Sequence, residues 1–435
     1  MNSKSSKQYT VGTLIYSKAG IISLFGWLLW GDFMLTLMES VIPNLYPLIL
    51  KKHGASNQQI AIILSTFGVL INAAMNPLIS FNSDRTRTRW GRRRPYILWS
   101  TPFVVLFLCL VPFASPMSTI LLKVGFIKDL FSYAPFLPIV ALLGLFFIGY
   151  QIFNMFVGCV YYYLIPDVVP DELMGRFMGL MRVFGMAAGF FFNYYCLPLA
   201  ESHEKEIFIG IAITYGFFIY LMCLKVVEGG YPPAPQVEKT SWISTVQLYL
   251  RECFGYRIYW FAFLTFACVS FSGAAYTFNT LFLKEQLHLT MDQIGKAISY
   301  SSLISALISI PLGVLLDRWN TFKVLIVTYG LIAITHLLSY FFMKDYSSVI
   351  LWSVIGYFPQ TALSLVLFKW IMQVYPKDRF GQFCSAASLF TCIGAAVLGP
   401  FCGYLIDLIK DYRIIYLWFS FFGLLGALMS WLEHR

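Results

Sequence analysis

The 435-residue chain carries 31 Lys and Arg against 21 Asp and Glu, a formal net charge of +10, yet only 12% of its residues are charged and 58% are hydrophobic. With a mean hydropathy of +0.70, this composition lies outside the range of water-soluble domains, in which about a quarter of residues are charged. Nine scattered cysteines without a CxxC pair, five histidines of which one falls in an apolar stretch, and the lack of a Walker loop, a nucleotide-binding glycine fingerprint or a nucleophile elbow exclude the familiar enzyme and pump classes. No enzyme activity, cofactor or metal is expected.

The apolar residues run through 95–117, 135–166, 256–283, where Arg257 is the one charge, and 414–432, each at or near the ~20 residues that cross a bilayer as helix. Barrel strands would instead alternate over about ten residues, so the expected fold class is an all-α membrane protein. In chain order the spans centre on 22–46, 58–81, 95–114, 134–165, 177–199, 206–224, 258–283, 293–316, 323–343, 347–374, 381–408 and 413–432. The first twenty residues are polar and lead into an apolar run too long for a signal-peptide core, so no cleaved leader is read.

Charges inside spans are costly and usually face a cavity or a partner. On the first span, Asp32 and Glu39 are seven residues apart, which returns to within about 20° of one helix face. The second span carries Asn72 and Asn76 one turn apart. On the fourth, Gln151, Asn154 and Tyr162 keep helical spacing, and on the seventh Ser272, Tyr276 and Asn279 do the same. Such sets either line a cavity suited to hydroxyl groups or join helices together. Arg182 in the fifth span needs a partner, and Gly175, Gly179, Gly185 and Gly189 make two GxxxG steps around it that permit close packing. Lys369 in the tenth span lies nearly opposite Gln360 on a helical wheel, and its long stem reaches the inner surface as readily as a cavity.

Between the second and third spans stands SDRTRTRWGRRRPYIL, residues 83–98, with six arginines in ten positions. With twelve spans both termini share one side, and that side collects 19 of the 31 Lys and Arg, the opposite loops 10, with Arg182 and Lys369 inside spans. The majority side is the cytoplasm, which accounts for the positive charge without nucleic acid. A polar stretch rich in Pro and Gly, KVVEGGYPPAPQVEKTSW at 225–242, separates an N-terminal six-helix half (1–224) from a C-terminal one (258–435), with 225–257 as a cytoplasmic linker. The halves repeat weakly. PDELMGRF (170–177) answers PKDRFGQF (376–383), FGMAAG (184–189) answers CIGAAV (392–397), and SDR (83–85) answers GVLLDRW (313–319). Duplicated six-span halves are a transporter architecture.

An acidic and basic loop after the second span, repeated after the eighth, resembles the signature of the major facilitator superfamily along essentially the whole chain. DRTRTRWGRRRPYIL with Asn76 and Pro77 before it is similar to the glycoside-pentoside-hexuronide cation symporters, the melibiose permease type, and to plant-type sucrose transporters. Gly31–Phe33 and Tyr163–Pro166 add weaker support. The resemblance implies a cytoplasmic gate at Asp84, Arg85, Arg89 and Arg92 with a counterpart at Asp317 and Arg318, in which arginines at helix ends bind an aspartate and exposed carbonyls. It also implies a sugar-binding role for Asp32 and, within about one residue of register, for Arg182, the alternative for Arg182 being a structural pairing with an acid. The sodium-coupled relatives keep aspartates where this chain has Asn72 and Asn76, and their acid on the fourth span is replaced near Gly158. An amide neither balances a cation nor accepts a proton, so this is a degenerate cation site, and Asp32 and Glu39 become the candidates for proton coupling.

The leading expectation is a secondary transporter of a sugar or glycoside, proton-coupled and working by alternating access, in a cell inner membrane or plasma membrane with both termini cytoplasmic. Its partners are the solute, substrate-binding residues being Asp32, Gln151, Asn154, Arg182, Tyr276 and Asn279, the coupling ion and the lipid bilayer, with no nucleic acid. Alternatives are another small solute (a nucleoside, an organic anion, a drug) or a non-transporting sensor or assembly protein on the same fold. A Pro233→Cys variant should stay unlabelled by an impermeant thiol reagent in intact cells. Labelling there would reverse the topology.

Overall fold

The computed structural model describes residues 8–123, 137–231, 251–376 and 380–434. A two-stranded antiparallel hairpin, β1 Tyr9–Val11 with β2 Leu14–Tyr16, precedes the helices, with Thr10 opposite Ile15. The helices are α1 Lys18–Lys52, α2 Asn57–Arg85, α3 Arg94–Leu121, α4 Pro138–Val168, α5 Asp171–Glu201, α6 Glu204–Lys225, α7 Arg257–Gln286, α8 Met291–Asp317, α9 Thr321–Phe342, α10 Tyr346–Val374, α11 Phe380–Ile409 and α12 Ile414–His434. Among the described residues, eleven of these helices carry a stretch long and apolar enough to cross a membrane. The 27-residue α8 spans about 40 Å at 1.5 Å per residue and occupies the eighth expected span. Most of the 225–257 linker lies outside the described residues.

The chain divides into two compact units. Unit 1 comprises residues 1–45 and 71–237, and unit 2 comprises 46–70 and 238–435. In unit 1, α3 packs on α4 and α6. In unit 2, α12 packs on α9 and α7, α10 on α8 and α9, and the first turns of α2 on α11. The ends of α1 and α2 that meet near residue 54 therefore belong with the later helices, although the apolar pattern assigns them to the first half.

Backbone polar groups have no water to turn to inside a bilayer, and the helix starts show how the chain satisfies them. Ser56 and Thr290 each cap a helix, accepting from the backbone N–H of Gln59 and Gln293, whose side chains return the bond in a capping box. Two residues before each cap, Gly54 and His288 take positive φ. Pro77 and Pro311 stand the same 21 positions after the two caps. This is the duplication of halves written in turn chemistry. Asp345 and Ser348 form a third capping box at α10.

At α2 a second cap comes from α11: the Asp407 carboxylate accepts from the Asn57 backbone N–H (3.1 Å), its side-chain Nδ2 (2.8 Å) and the Gln58 N–H (3.0 Å). Gly403, one turn earlier on α11, has no room for a Cβ against the Asn57 and Gln58 backbone. Asp407→Ala should destabilise the protein by about 1–2 kcal/mol, read as a lowered thermal unfolding midpoint. An unchanged midpoint would show that Ser56 alone holds this end.

Candidate functional site

In unit 1, α1 and α5 run side by side with a four-residue step. A Cβ on Gly185 would lie 3.4 Å from Thr36 Oγ1 and 3.8 Å from Asp32 Oδ2, and one on Gly189 3.6 Å from Ser40 Oγ. One turn further, Asn44 Nδ2 donates to Asn193 Oδ1 at 3.3 Å. The small residues of α5 thus seat the polar face of α1. Continuing the step backwards brings Met181 level with Asp32, and Arg182 is the next residue along α5. Asp32 is buried (4% exposed), while Glu39 and Arg182 are exposed and, among the described residues, Arg182 has no ion-pair partner. Gly175 and Gly179, the earlier GxxxG step, face open space.

Gly31 permits this arrangement. A side chain there would run into Met222 of α6 and approach Tyr161 of α4, and the Tyr161 hydroxyl donates to the Leu28 carbonyl at 2.7 Å. Tyr162 lies within Coulombic range of both Asp32 and Glu39. Asn154 accepts from the Tyr215 hydroxyl at 3.3 Å, and Gln151 is half-buried nearby on the same helix. Asn76 accepts from Tyr163 at 2.8 Å, whereas Asn72 is exposed.

The arginine run folds around carboxylates, two of which the sequence reading did not single out. Arg92 makes a two-pronged bond to Asp167 of α4 (Nε to Oδ2 3.0 Å, Nη2 to Oδ1 2.5 Å), and Arg93 shares the same Oδ2 at 3.2 Å. Asp84 pairs with Arg93, at 2.5 Å, rather than with Arg85. Glu228, just past α6, accepts from the backbone N–H groups of Arg92, Arg93 and Arg94 at 2.8–3.2 Å, so its carboxylate caps α3, whose N-terminal residue Arg93 has no side-chain cap. Gly91, at φ +103°, has its Cα where a side chain would meet that carboxylate. Arg94 Nε donates to the Cys223 carbonyl at 2.6 Å, closing the C-terminal end of α6.

Tyr231 completes the cluster, donating within 3.1 Å of Asp167 and 2.8 Å of Glu228 beneath the Arg92 guanidinium, 4.2 Å from its ring centre. Burial and the Glu228 carboxylate push this phenol well above its ordinary range, which keeps it a donor. Gly230 N–H donates to Thr13 Oγ1 of the terminal hairpin at 2.7 Å. Arg89 and Arg318 are exposed, and the Asp317 side chain is outside those described. A signal for Asp167 and Glu228 was available, since each acid stands at the end of an apolar helix, on the side of the loops that carries the arginine run.

Unit 2 has a partly open cavity of about 340 Å³ lined from α7, α8, α9, α10 and α12. Ser272, Tyr276 and Asn279 line it together with Gln360, the residue that lies opposite Lys369. Tyr276 bonds Tyr357, and the Tyr416 hydroxyl donates to Asn279 Oδ1 at 3.4 Å. Trp352 and Phe419 add flat apolar walls. No group of metal-ligating side chains gathers among the described residues.

The sequence profile of the Major Facilitator Superfamily matches residues 260–435. Solved structures similar to the chain include the nucleoside transporter NupG (13% identity, 95% of this chain and 99% of that one, TM-score 0.69). A bacterial homologue of the human lysosomal transporter Spinster (14%, 95% and 96%, 0.68) and a D-xylose-proton symporter (14%, 94% and 96%, 0.61) are also similar. The chain has the major facilitator fold. No curated protein matches it. These likenesses are to transporters, not enzymes, and the chain is an all-α, multi-pass membrane protein; the narrower resemblance to glycoside symporters is taken up below.

Asp167 answers two guanidiniums and a phenol with its carboxyl mostly buried, whereas Asp84 answers one and its carboxyl is half exposed. Asp167→Ala should therefore cost about 3 kcal/mol and Asp84→Ala about 1 kcal/mol or less, compared by chemical or thermal unfolding in detergent. Equal losses would mean that Asp167 is not the centre of the cluster.

Proposed function

We propose that the chain is a secondary transporter that moves a sugar or glycoside by alternating access, with protons as the coupling ion. The observation that carries this reading is the cavity inside unit 2. It offers hydroxyls from Ser272, Ser301, Ser353 and three tyrosines, amides from Asn279 and Gln360, and stacking faces from Trp352 and Phe419. Its size suits a small organic molecule, with apolar walls and a few convergent polar groups. Hydroxyl and amide donors and acceptors match a polyol, and aromatic faces match the apolar face of a sugar ring. A nucleoside meets the same groups, with its base on an aromatic wall, and is the second reading.

Unit 1 supports coupling. Asp32, Glu39 and Arg182 are ionisable groups on two adjacent helices, and a charge at that depth is costly unless it has work to do. Asn72 and Asn76 supply no negative charge for sodium, and Asn76 is engaged by Tyr163. The Asp84, Arg92, Arg93, Asp167 and Glu228 cluster serves as the cytoplasmic gate, since its bonds tie the ends of α2, α3, α4 and α6 and a conformational change can exchange them as a set.

Transport should respond to pH and be indifferent to sodium. Asp32→Asn should abolish accumulation of solute against a gradient while exchange survives; loss of exchange as well would make Asp32 a ligand of the solute. Uptake into vesicles that rises with sodium at fixed pH and membrane potential would defeat proton coupling.

A further inference from the structure

The cavity of unit 2 contains one side chain able to change charge near neutral pH. His336 of α9 lines it, and every other lining residue is neutral. The titratable groups facing the same space are phenols, Tyr276 from α7, Tyr357 from α10 and Tyr416 from α12, which stay uncharged over that range. From α8 comes Ser301, and from α9 itself Ser339.

The imidazole is held in one orientation. Its Nδ1 is 2.8 Å from the Ile332 carbonyl one turn earlier. A carbonyl only accepts, so Nδ1 carries the hydrogen and the neutral ring has its lone pair on Nε2. Phe419 stands against the ring at 4.9 Å between centroids and Tyr416 at 6.3 Å. On the α10 side Gly356 leaves space, since even a Cβ there would be 4.0 Å from His336 Cε1. The backbone bond fixes the tautomer, the α12 aromatics fix the ring plane, and the glycine keeps the Cε1 and Nε2 edge open to the cavity.

We propose that neutral His336 accepts, at Nε2, a hydrogen bond from a hydroxyl or N–H group of the solute, so that the cavity selects neutral, donor-bearing ring compounds over organic anions and releases them when the imidazole takes a proton. This rests on the transport reading above and narrows it. The sign follows from the donor inventory. In the protonated imidazole both ring nitrogens are donors, and a solute hydroxyl that donated to Nε2 then loses its acceptor, whereas an anion would gain a partner. Affinity for a neutral solute is therefore full while the imidazole is neutral and falls as acid protonates it, and for an anionic solute it rises.

The full chain, purified in detergent, would be titrated with 4-nitrophenyl galactoside, adenosine and 4-nitrophenyl glucuronide at pH 7.5 and 5.0, following tryptophan fluorescence. For the galactoside the expected result is an affinity severalfold weaker at pH 5.0 than at pH 7.5, with most of that factor removed by His336→Gln, whose amide oxygen accepts but does not titrate. An equal pH response in the wild type and the variant, or binding of the glucuronide alone that strengthens in acid, overturns the proposal. Adenosine bound in place of the galactoside, with the same dependence on His336, upholds it and overturns the sugar reading. Should none of the three bind, diethyl pyrocarbonate reads Nε2 directly. Carbethoxylation of His336 in the folded protein at pH 7.5 supports a free nitrogen facing the cavity, and an unmodified His336 beside a modified His203, which is exposed, overturns it.

Discussion

The constraint on which unit 1 depends is that Arg92, Arg93 and Arg94, where an apolar helix begins, need oxygen partners at fixed places. Glu228 meets part of that need in an unusual way, by taking three successive backbone N–H groups at the start of α3 rather than a guanidinium. Its charge lies against the positive end of the helix, which frees Asp167 and Asp84 to hold Arg92 and Arg93. Arg94 then closes the end of α6 through the Cys223 carbonyl. The glycine at 91, the acid at 228 and the aspartate at 167 are one device assembled from three distant parts of the chain. Tyr231 and Thr13 extend it to the first residues of the linker and to the terminal hairpin.

The same economy of small residues shapes the membrane interior. Gly185 and Gly189 bring the α5 backbone against Thr36 and Ser40, and Gly31 brings α1 against α6. Close backbone approach without large side chains is how helices gain contact when lipid supplies no hydrophobic drive between them. A consequence is that Asp32 is buried on a face with little room for a large partner, while Glu39, two turns on, remains exposed. The two carboxylates share a helix and differ in burial, and Tyr162 lies within Coulombic range of both.

The spans were legible because twenty apolar residues have one physical meaning, and all twelve expected spans coincide with helices. Local turn chemistry was legible too, although the Ser56 and Thr290 capping boxes, with their matching left-handed residues and prolines, are a sharper sign of duplication than the loop motifs. What pairing patterns did not disclose was long-range partnership. Nothing near Asp84 in sequence selects Arg93 over Arg85, because the choice is made by how α3 starts, and that start depends on Glu228, more than a hundred residues away. The α2 N-terminus was likewise placed by Asp407, a partner only tertiary structure brings to it. One histidine in an apolar helix is usually a packed residue, so nothing in the sequence set His336 apart; its position on the cavity follows from Gly356 and Phe419 on other helices.

Charge is distributed unevenly between the units. Asp32, Glu39 and Arg182 lie in the spans of unit 1, while the cavity of unit 2 is walled by hydroxyls, amides, aromatics and one imidazole. For a neutral solute this separation has a physical advantage. A bare carboxylate beside the solute would hold water and raise the desolvation cost of binding, and a cavity of neutral donors and acceptors avoids it. A proton site, by contrast, works only where a charge can be made and removed, and it needs a lone acid more than a shaped pocket. On the proposed reading, the two tasks make opposite demands on local polarity, and two six-helix halves give each task its own surroundings.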